Sequence, residues 1–381
     1  MRADAALARP VAQRAAGPAR KRLPIALLAA AFAAYLAWSV SVRQAALFVV
    51  GAGLGVALAG ARFGFTTGWR TLVVARDPRG VVGQVVLLAL ASAASMPLLA
   101  HFPELAAALG PPSVSLVVGA FVFGLTMQIA DGCGSGTLYK AGLGVPLNAA
   151  ILPLFALGSF AGTLHLDRWL ALGALEPVGL VDRFGAGGAL AVTFAGLALA
   201  LAAAWAWTRR APRVAWLDRR WMAGAVALAV FATLNLVIAG QPWGVVYGFG
   251  LWGAKVATAA GAFDPAASWF WSQPGNAAIL QQSVLLDVTS ITNVGILAGA
   301  LWIAAGSATS GRGLTGAQWA IGLAAGFLMG YSSRLAFGCN VGAMVSGITT
   351  GSLHGWLWVP LAFAGTVVGL RVRRRFGFDP R

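Results

Sequence analysis

The chain contains only two cysteines, Cys133 and Cys339, and each directly follows a glycine. The surrounding stretches read Asp131-Gly132-Cys133-Gly134-Ser135-Gly136 and Phe337-Gly338-Cys339-Asn340-Val341-Gly342. A thiol is a small, polarizable, weakly hydrogen-bonding group. Two of them, so far apart in sequence, supply neither a disulfide framework nor a zinc knuckle. His101, His165 and His354 are isolated from one another and from the cysteines, so no metal site is expected. No G-x-x-x-x-G-K-[ST] phosphate loop is present. No cofactor is expected, and energy for any transport must come from the solute's gradient, its consumption downstream, or ion coupling.

The two motifs are copies of one pattern. Cys339 lies 206 residues after Cys133, and Phe, Gly, Ala, Gly, Cys and Gly coincide at that offset at 121/327, 124/330, 130/336, 132/338, 133/339 and 136/342. An internal duplication explains why the only two cysteines pair. Each motif reads as a helix, a glycine break at the cysteine, and a short second helix, because glycine permits backbone conformations closed to other residues. Equivalent breaks in two halves of a membrane protein point to a transport site near the midplane. The free amides that open the following half-helix favour an anion. The bland alternative is that these small residues serve helix packing alone. A weaker echo pairs Gly51-Ala52-Gly53-Leu54 with Gly248-Phe249-Gly250-Leu251.

Charged side chains near the breaks are functional candidates because charge inside a bilayer is costly. Lys140 follows Cys133 and Arg334 precedes Cys339; either attracts an anion to a pore mouth, or both snorkel to an interface. Asp131 is expected to cap the half-helix after Cys133. The candidate pathway residues are therefore Cys133, Cys339, Gly132, Gly134, Gly136, Gly338, Asn340, Gly342, Lys140 and Arg334.

The elements that must hold these residues are membrane helices. Hydrophobic residues form 59% of the chain and charged ones 10%, against roughly 25% charged in a soluble domain. The apolar runs approach the roughly 20 residues that span a hydrocarbon core and lack the period-two alternation of barrel strands. Candidate spans lie near 23–42, 44–61, 81–100, 113–130, 146–165, 186–208, 222–239, 243–260, 288–306, 316–331 and 354–370. The net charge of +16 comes from clusters at Arg2 to Arg22, Arg62 to Arg79, Arg209 to Arg220 and Arg371 to Arg381. Such clusters between apolar runs follow the positive-inside rule, not a nucleic-acid-binding stripe. Trp205, Trp207, Trp216 and Trp221 suit an interfacial belt around one basic loop, and Trp269 and Trp271 another. One basic tail, 1–22, is followed by a single transmembrane domain, 23–381, with pseudo-repeats at about 44–165 and 243–370. The orientation contains a contradiction. Six candidates precede the 209–220 loop and five follow it, which puts the basic C-terminus on the wrong side. Either a later candidate is re-entrant or a crossing lies hidden in 262–287.

Taken in this order, the motifs resemble those of the YeeE/YedE family of sulfur-compound transporters, from about Leu47 to Leu370. Gly132-Cys133 and Gly338-Cys339 carry the likeness, supported by Ser135-Gly136-Thr137-Leu138-Tyr139 and Gly351-Ser352-Leu353-His354-Gly355-Trp356. The resemblance implies an all-α, inverted-repeat fold of a multi-pass bacterial inner-membrane protein, with re-entrant Gly/Cys loops. It implies thiosulfate as the anion, passed along by S–H···S contacts, a role open here only to Cys133 and Cys339. It also implies a TusA-like cytoplasmic sulfur carrier as partner, besides membrane lipid. The family pattern often has a further cysteine early on, where this chain reads Arg62-Phe63-Gly64-Phe65. Other small anions such as sulfite or selenite are the alternative cargo. A membrane thiol oxidoreductase is the alternative class, which wants its two thiols within reach of each other.

Overall fold

The computed structural model describes residues 18–209, 215–306 and 313–378. Most of the basic tail 1–22, the middle of the 209–220 loop and the end of the C-terminal basic cluster lie outside the described residues. The first half contains α1 (Pro18–Ser39), α2 (Val42–Ala61), α3 (Phe65–Ala75), α4 (Arg79–His101), α5 (Val114–Ile129), α6 (Gly134–Gly142) and α7 (Pro146–Leu164). Then come α8 (Leu166–Ala171), α9 (Leu180–Thr208), α10 (Arg219–Ala239), α11 (Val246–Ala259) and α12 (Pro274–Gln281). The chain closes with α13 (Val288–Ala304), α14 (Gly316–Leu335), a π-helical turn (Asn340–Gly347) and α15 (Leu353–Arg375). Nine stretches among the described residues are long and apolar enough to cross a membrane, and α13 falls just short. The protein is an all-α, multi-pass membrane protein.

The sequence starts these helices with side-chain caps. Ser41 accepts from the Gln44 amide, Ser113 from Leu116, and Asp287 from Ser290. Thr315 and Gln318 cap each other reciprocally at the start of α14. Such caps satisfy amides that a helix leaves unpaired at its start.

Small residues set the helix pairing. The position where a side chain would grow on Gly124 is filled by the Ala362 backbone, and that of Gly365 by Phe121. Gly369 meets Leu125 farther along, so α5 and α15 run parallel. In the same way Gly326 packs on Ile151, Gly330 on Phe155 and Gly162 on Tyr331, making α7 parallel to α14. Backbone approach of this kind is how helices associate where no water drives them together. The start of α14 lies by the end of α15, where Gln318 donates to the Phe376 and Gly377 carbonyls at 3.1 and 2.9 Å. Just beyond the end of α14, Phe337 meets His354 at the start of α15, their ring centroids 6.4 Å apart. Hence α14 runs opposite to α15 and to α5. Helices that correspond at the 206-residue offset run in opposite directions, the signature of an inverted repeat. The exchange continues outward. Gly51 and Gly55 of α2 pack on Thr292 and Ile296 of the parallel α13, while Gly80 and Gly83 of α4 pack on Trp221 at the start of α10. The glycine-pair echo does not extend this equivalence. Gly51 sits mid-helix in α2, whereas Gly248 lies in the first turn of the short α11.

The orientation contradiction is resolved by α11 and α12. Candidate 243–260 is not a crossing: its helix has only 14 residues. The chain leaves the bundle beside Gly248 and returns to the same level, where Thr289 touches that glycine and Asn293 donates to the Val245 carbonyl at 2.9 Å. Between these points Lys255 donates to the carbonyls of Leu280 and Gln282. A re-entrant hairpin therefore occupies 246–287, leaving four crossings after the basic loop. The basic segments then share one face. Arg76 donates to the Trp207 carbonyl at 3.0 Å, and Arg220 to that of Gly60 at 3.0 Å. Trp205 and Trp207 are exposed near this face and Trp269 at the other, as an aromatic belt requires. Trp271 departs from that expectation. It is buried, its indole donating to Thr163 at 2.8 Å.

Candidate functional site

The two breaks are geometric copies. Asp131 and Phe337 both take the left-handed conformation at φ 56°. The amide of the following glycine then reaches back, Gly132 to the Met127 carbonyl at 3.1 Å and Gly338 to that of Ser333 at 2.9 Å. Cys133 and Cys339 come next, both extended, as the residues that open α6 and the π turn. Their carbonyls accept from Thr137 at 2.7 Å and Ala343 at 2.8 Å. A side chain on Gly132 would strike the backbone of Gly136 and Thr137, and one on Gly338 that of Gly342 and Ala343. These two glycines are therefore structural, required so that the chain can double back onto the half-helix.

Doubling back brings the motifs together at the centre of the main buried cluster, which includes Met127, Phe155, Phe249, Met344 and Trp358. Cys339 Sγ lies over Gly134, 3.0 Å from where a β-carbon would stand, and Val246 at the tip of α11 closes the same spot. Glycine at 134 is what lets the thiol approach. Cys339 Sγ thus packs against the residue that directly follows Cys133, and both thiols are free. Cys133 shares a contact with Ser135 Oγ at 3.5 Å and sits over Gly136. Neither sulfur closes a side-chain capping bond with its half-helix. With exposures of 1% and 0%, both cysteines are closed off from solvent.

A cavity of about 590 Å³ reaches the second cysteine motif from the face opposite the basic loops. Gly338, Gly342, Trp243, Tyr247 and Arg334 line its depth. A side chain on Gly342 would meet nothing closer than the Phe337 carbonyl at 4.0 Å, so this glycine faces open space. Arg334 is one of two cations on the cavity wall, with Arg43; Asp287 lies there too. The Arg334 guanidinium lies 4.9 Å from the Phe270 ring centre and 5.6 Å from that of Tyr247. Its Nε is buried with no hydrogen-bond partner, and no carboxylate pairs with it among the described residues. Held by aromatic faces rather than by an acid, its charge remains available to an anion.

Lys140 is placed differently. It binds both the carbonyl and the carboxylate of Asp131, the latter at 2.6 Å. Asp131 also pairs with Arg70 at 2.7 Å and Arg373 at 3.4 Å. The expectation that Asp131 caps α6 is thus corrected. Cys133 occupies the cap, and the carboxylate turns away to hold three cations on the basic side. Arg70 and Arg373 were not singled out from the sequence, because α3 and α15 bring them from distant segments. Only the costliness of charge near a membrane break could have flagged them.

The model of the sulphur transport family matches residues 60–368, well over half the chain. The chain belongs to the YeeE/YedE sulfur transport family. No curated protein matches it. Family membership and the membrane-helix architecture together make it a sulfur-compound transporter. Both cysteine motifs lie within the matched region. The early break of this family member, where the sequence has no third cysteine, is opened by Gly64 between the buried Phe63 and Phe65.

Arg334→Gln gives a direct test of the cavity's electrostatics. No ion pair is broken, so the variant is expected to keep wild-type thermal stability in detergent. Its half-saturating anion concentration should rise about tenfold, as for loss of one charge-assisted hydrogen bond. Unchanged saturation would make Arg334 a packing residue.

Proposed function

We propose that the protein is a permease, not an enzyme, carrying a small sulfur-containing anion across the bacterial inner membrane, with thiosulfate the first candidate. The observation that carries the reading is the meeting of Cys133 and Cys339 at the crossing of two inverted half-repeats, below a cavity with an unpaired cation. The anion enters from the face opposite the basic loops, is drawn by Arg334, and reaches the thiols between half-helix amides. Gly134, Gly136, Gly342 and Asn340 border this path, while Gly132 and Gly338 shape it. It leaves on the basic side, past Lys140, Arg70 and Arg373. Those three cations outnumber Asp131 and favour an anion in transit. By the positive-inside rule that side is cytoplasmic, where a TusA-like carrier is a fitting recipient. Lipid surrounds a single transmembrane domain, about 23–381, whose halves lie near 44–165 and 243–370.

The test is uptake of labelled thiosulfate by cells lacking their own sulfur permeases. Accumulation above empty-vector cells, competed by unlabelled thiosulfate, supports the reading. No uptake by the wild type removes thiosulfate and turns attention to sulfite and selenite. One observation favours a second reading, a membrane thiol oxidoreductase: the thiols, distant in sequence, are adjacent in space. A Cys133–Cys339 disulfide found by mass spectrometry in active protein would support it.

A further inference from the structure

The two cysteine motifs share their turn geometry and first hydrogen bonds, and within the six residues they differ in polarity at 131/337, 134/340 and 135/341; the middle difference directly follows the thiol. Where the first half has Gly134 immediately after its cysteine, the second has Asn340. The β-carbon direction of Gly134 points at Cys339 Sγ. Asn340 holds the equivalent position, directly after Cys339 at the start of the π turn. Asn340 is wholly buried, with an exposure of 0%. Its side-chain Nδ2 and Oδ1 both lack a hydrogen-bond partner among the described residues. Burying an amide without partners is expensive, and native structures rarely retain one without a use. Two more unpartnered N–H groups, the Trp243 indole and Arg334 Nε, belong to residues lining the cavity. Polar groups left unpaired in a closed site discriminate strongly, because only a ligand that satisfies them recovers the cost of their burial.

We propose that Asn340 is a specificity residue: beside the thiols, its amide donates to an oxygen of the transported anion. The inference rests on the permease reading. It adds that the cargo is an oxyanion whose oxygens are held by Asn340, with Trp243 and Arg334 behind it, while its sulfur faces Cys133 and Cys339. A soft anion without oxygen, such as thiocyanate, offers a single terminal nitrogen as acceptor, cannot satisfy Asn340, Trp243 and Arg334 together, and binds more weakly.

The test compares wild type with Asn340→Gly, which installs the residue already used at the equivalent position of the other half. Binding of thiosulfate and of thiocyanate to the purified full-length protein is measured by calorimetry in detergent, alongside thermal stability and uptake in proteoliposomes. The wild type is expected to prefer thiosulfate. The variant should melt no lower, bind thiosulfate about tenfold more weakly and lose most of that preference, as for removal of one hydrogen bond to a charged group. Unchanged affinity and preference in the variant would overturn the role of Asn340, even if wild-type uptake stands. Equal binding of the two anions by the wild type would also overturn it. Selective binding that depends on Asn340, without any uptake, would support the residue's role while sinking the permease reading.

Discussion

Serine in place of Cys133 or Cys339 is expected to reduce anion uptake at least tenfold, about 1.4 kcal/mol per decade. Serine is close in size and replaces the S–H donor with an O–H donor, so helix packing around the two breaks should survive. What it removes is the polarizable sulfur. The loss should fall on both positions, because the two breaks share φ at 131 and 337, cysteine conformation and hydrogen-bond pattern. Uptake is measured at matched membrane abundance, with alanine variants alongside. Full activity in both serine variants would mean that the thiols only pack. Loss at one position alone would mean that a single sulfur meets the solute.

Gly338→Ala should be strongly damaging for a single-methyl change. Gly338 has φ 150°, and an added β-carbon would overlap the backbone of Gly342 and Ala343. Strain at such a conformation costs about 1–3 kcal/mol. Overpacking against backbone adds about 1–3 kcal/mol more. The expected result is a large drop in melting temperature in detergent and little protein in the membrane. Gly342→Ala, four residues on, is the control. Its new methyl would face the cavity, so the protein should fold normally. Any defect it shows should be in transport alone. If both variants melt like the wild type, the doubled-back geometry at Cys339 is not what holds the break.

Much of this protein was legible in its residues. Composition and run length determined a polytopic helical protein, because too few polar side chains exist to cover a water-facing surface. The 206-residue offset located both breaks, since a left-handed residue, a glycine and a cysteine recur as a local pattern, and local backbone geometry is a local property of sequence. The parity of the basic loops required either a re-entrant candidate or a crossing hidden in 262–287, and only the short α11 decided between them. What tertiary structure alone decided was which of these pieces meet. The thiols become neighbours only because antiparallel α5 and α14 bring their breaks to one level. Arg334 and Lys140 look alike in sequence, yet one ends between aromatic rings, open to a cavity, and the other on Asp131. Lys140 finds its acid nine residues back, whereas the rings around Arg334, Tyr247 and Phe270, come from segments more than sixty residues away. A charge's availability depends on everything packed around it, and no spacing along a single chain encodes that.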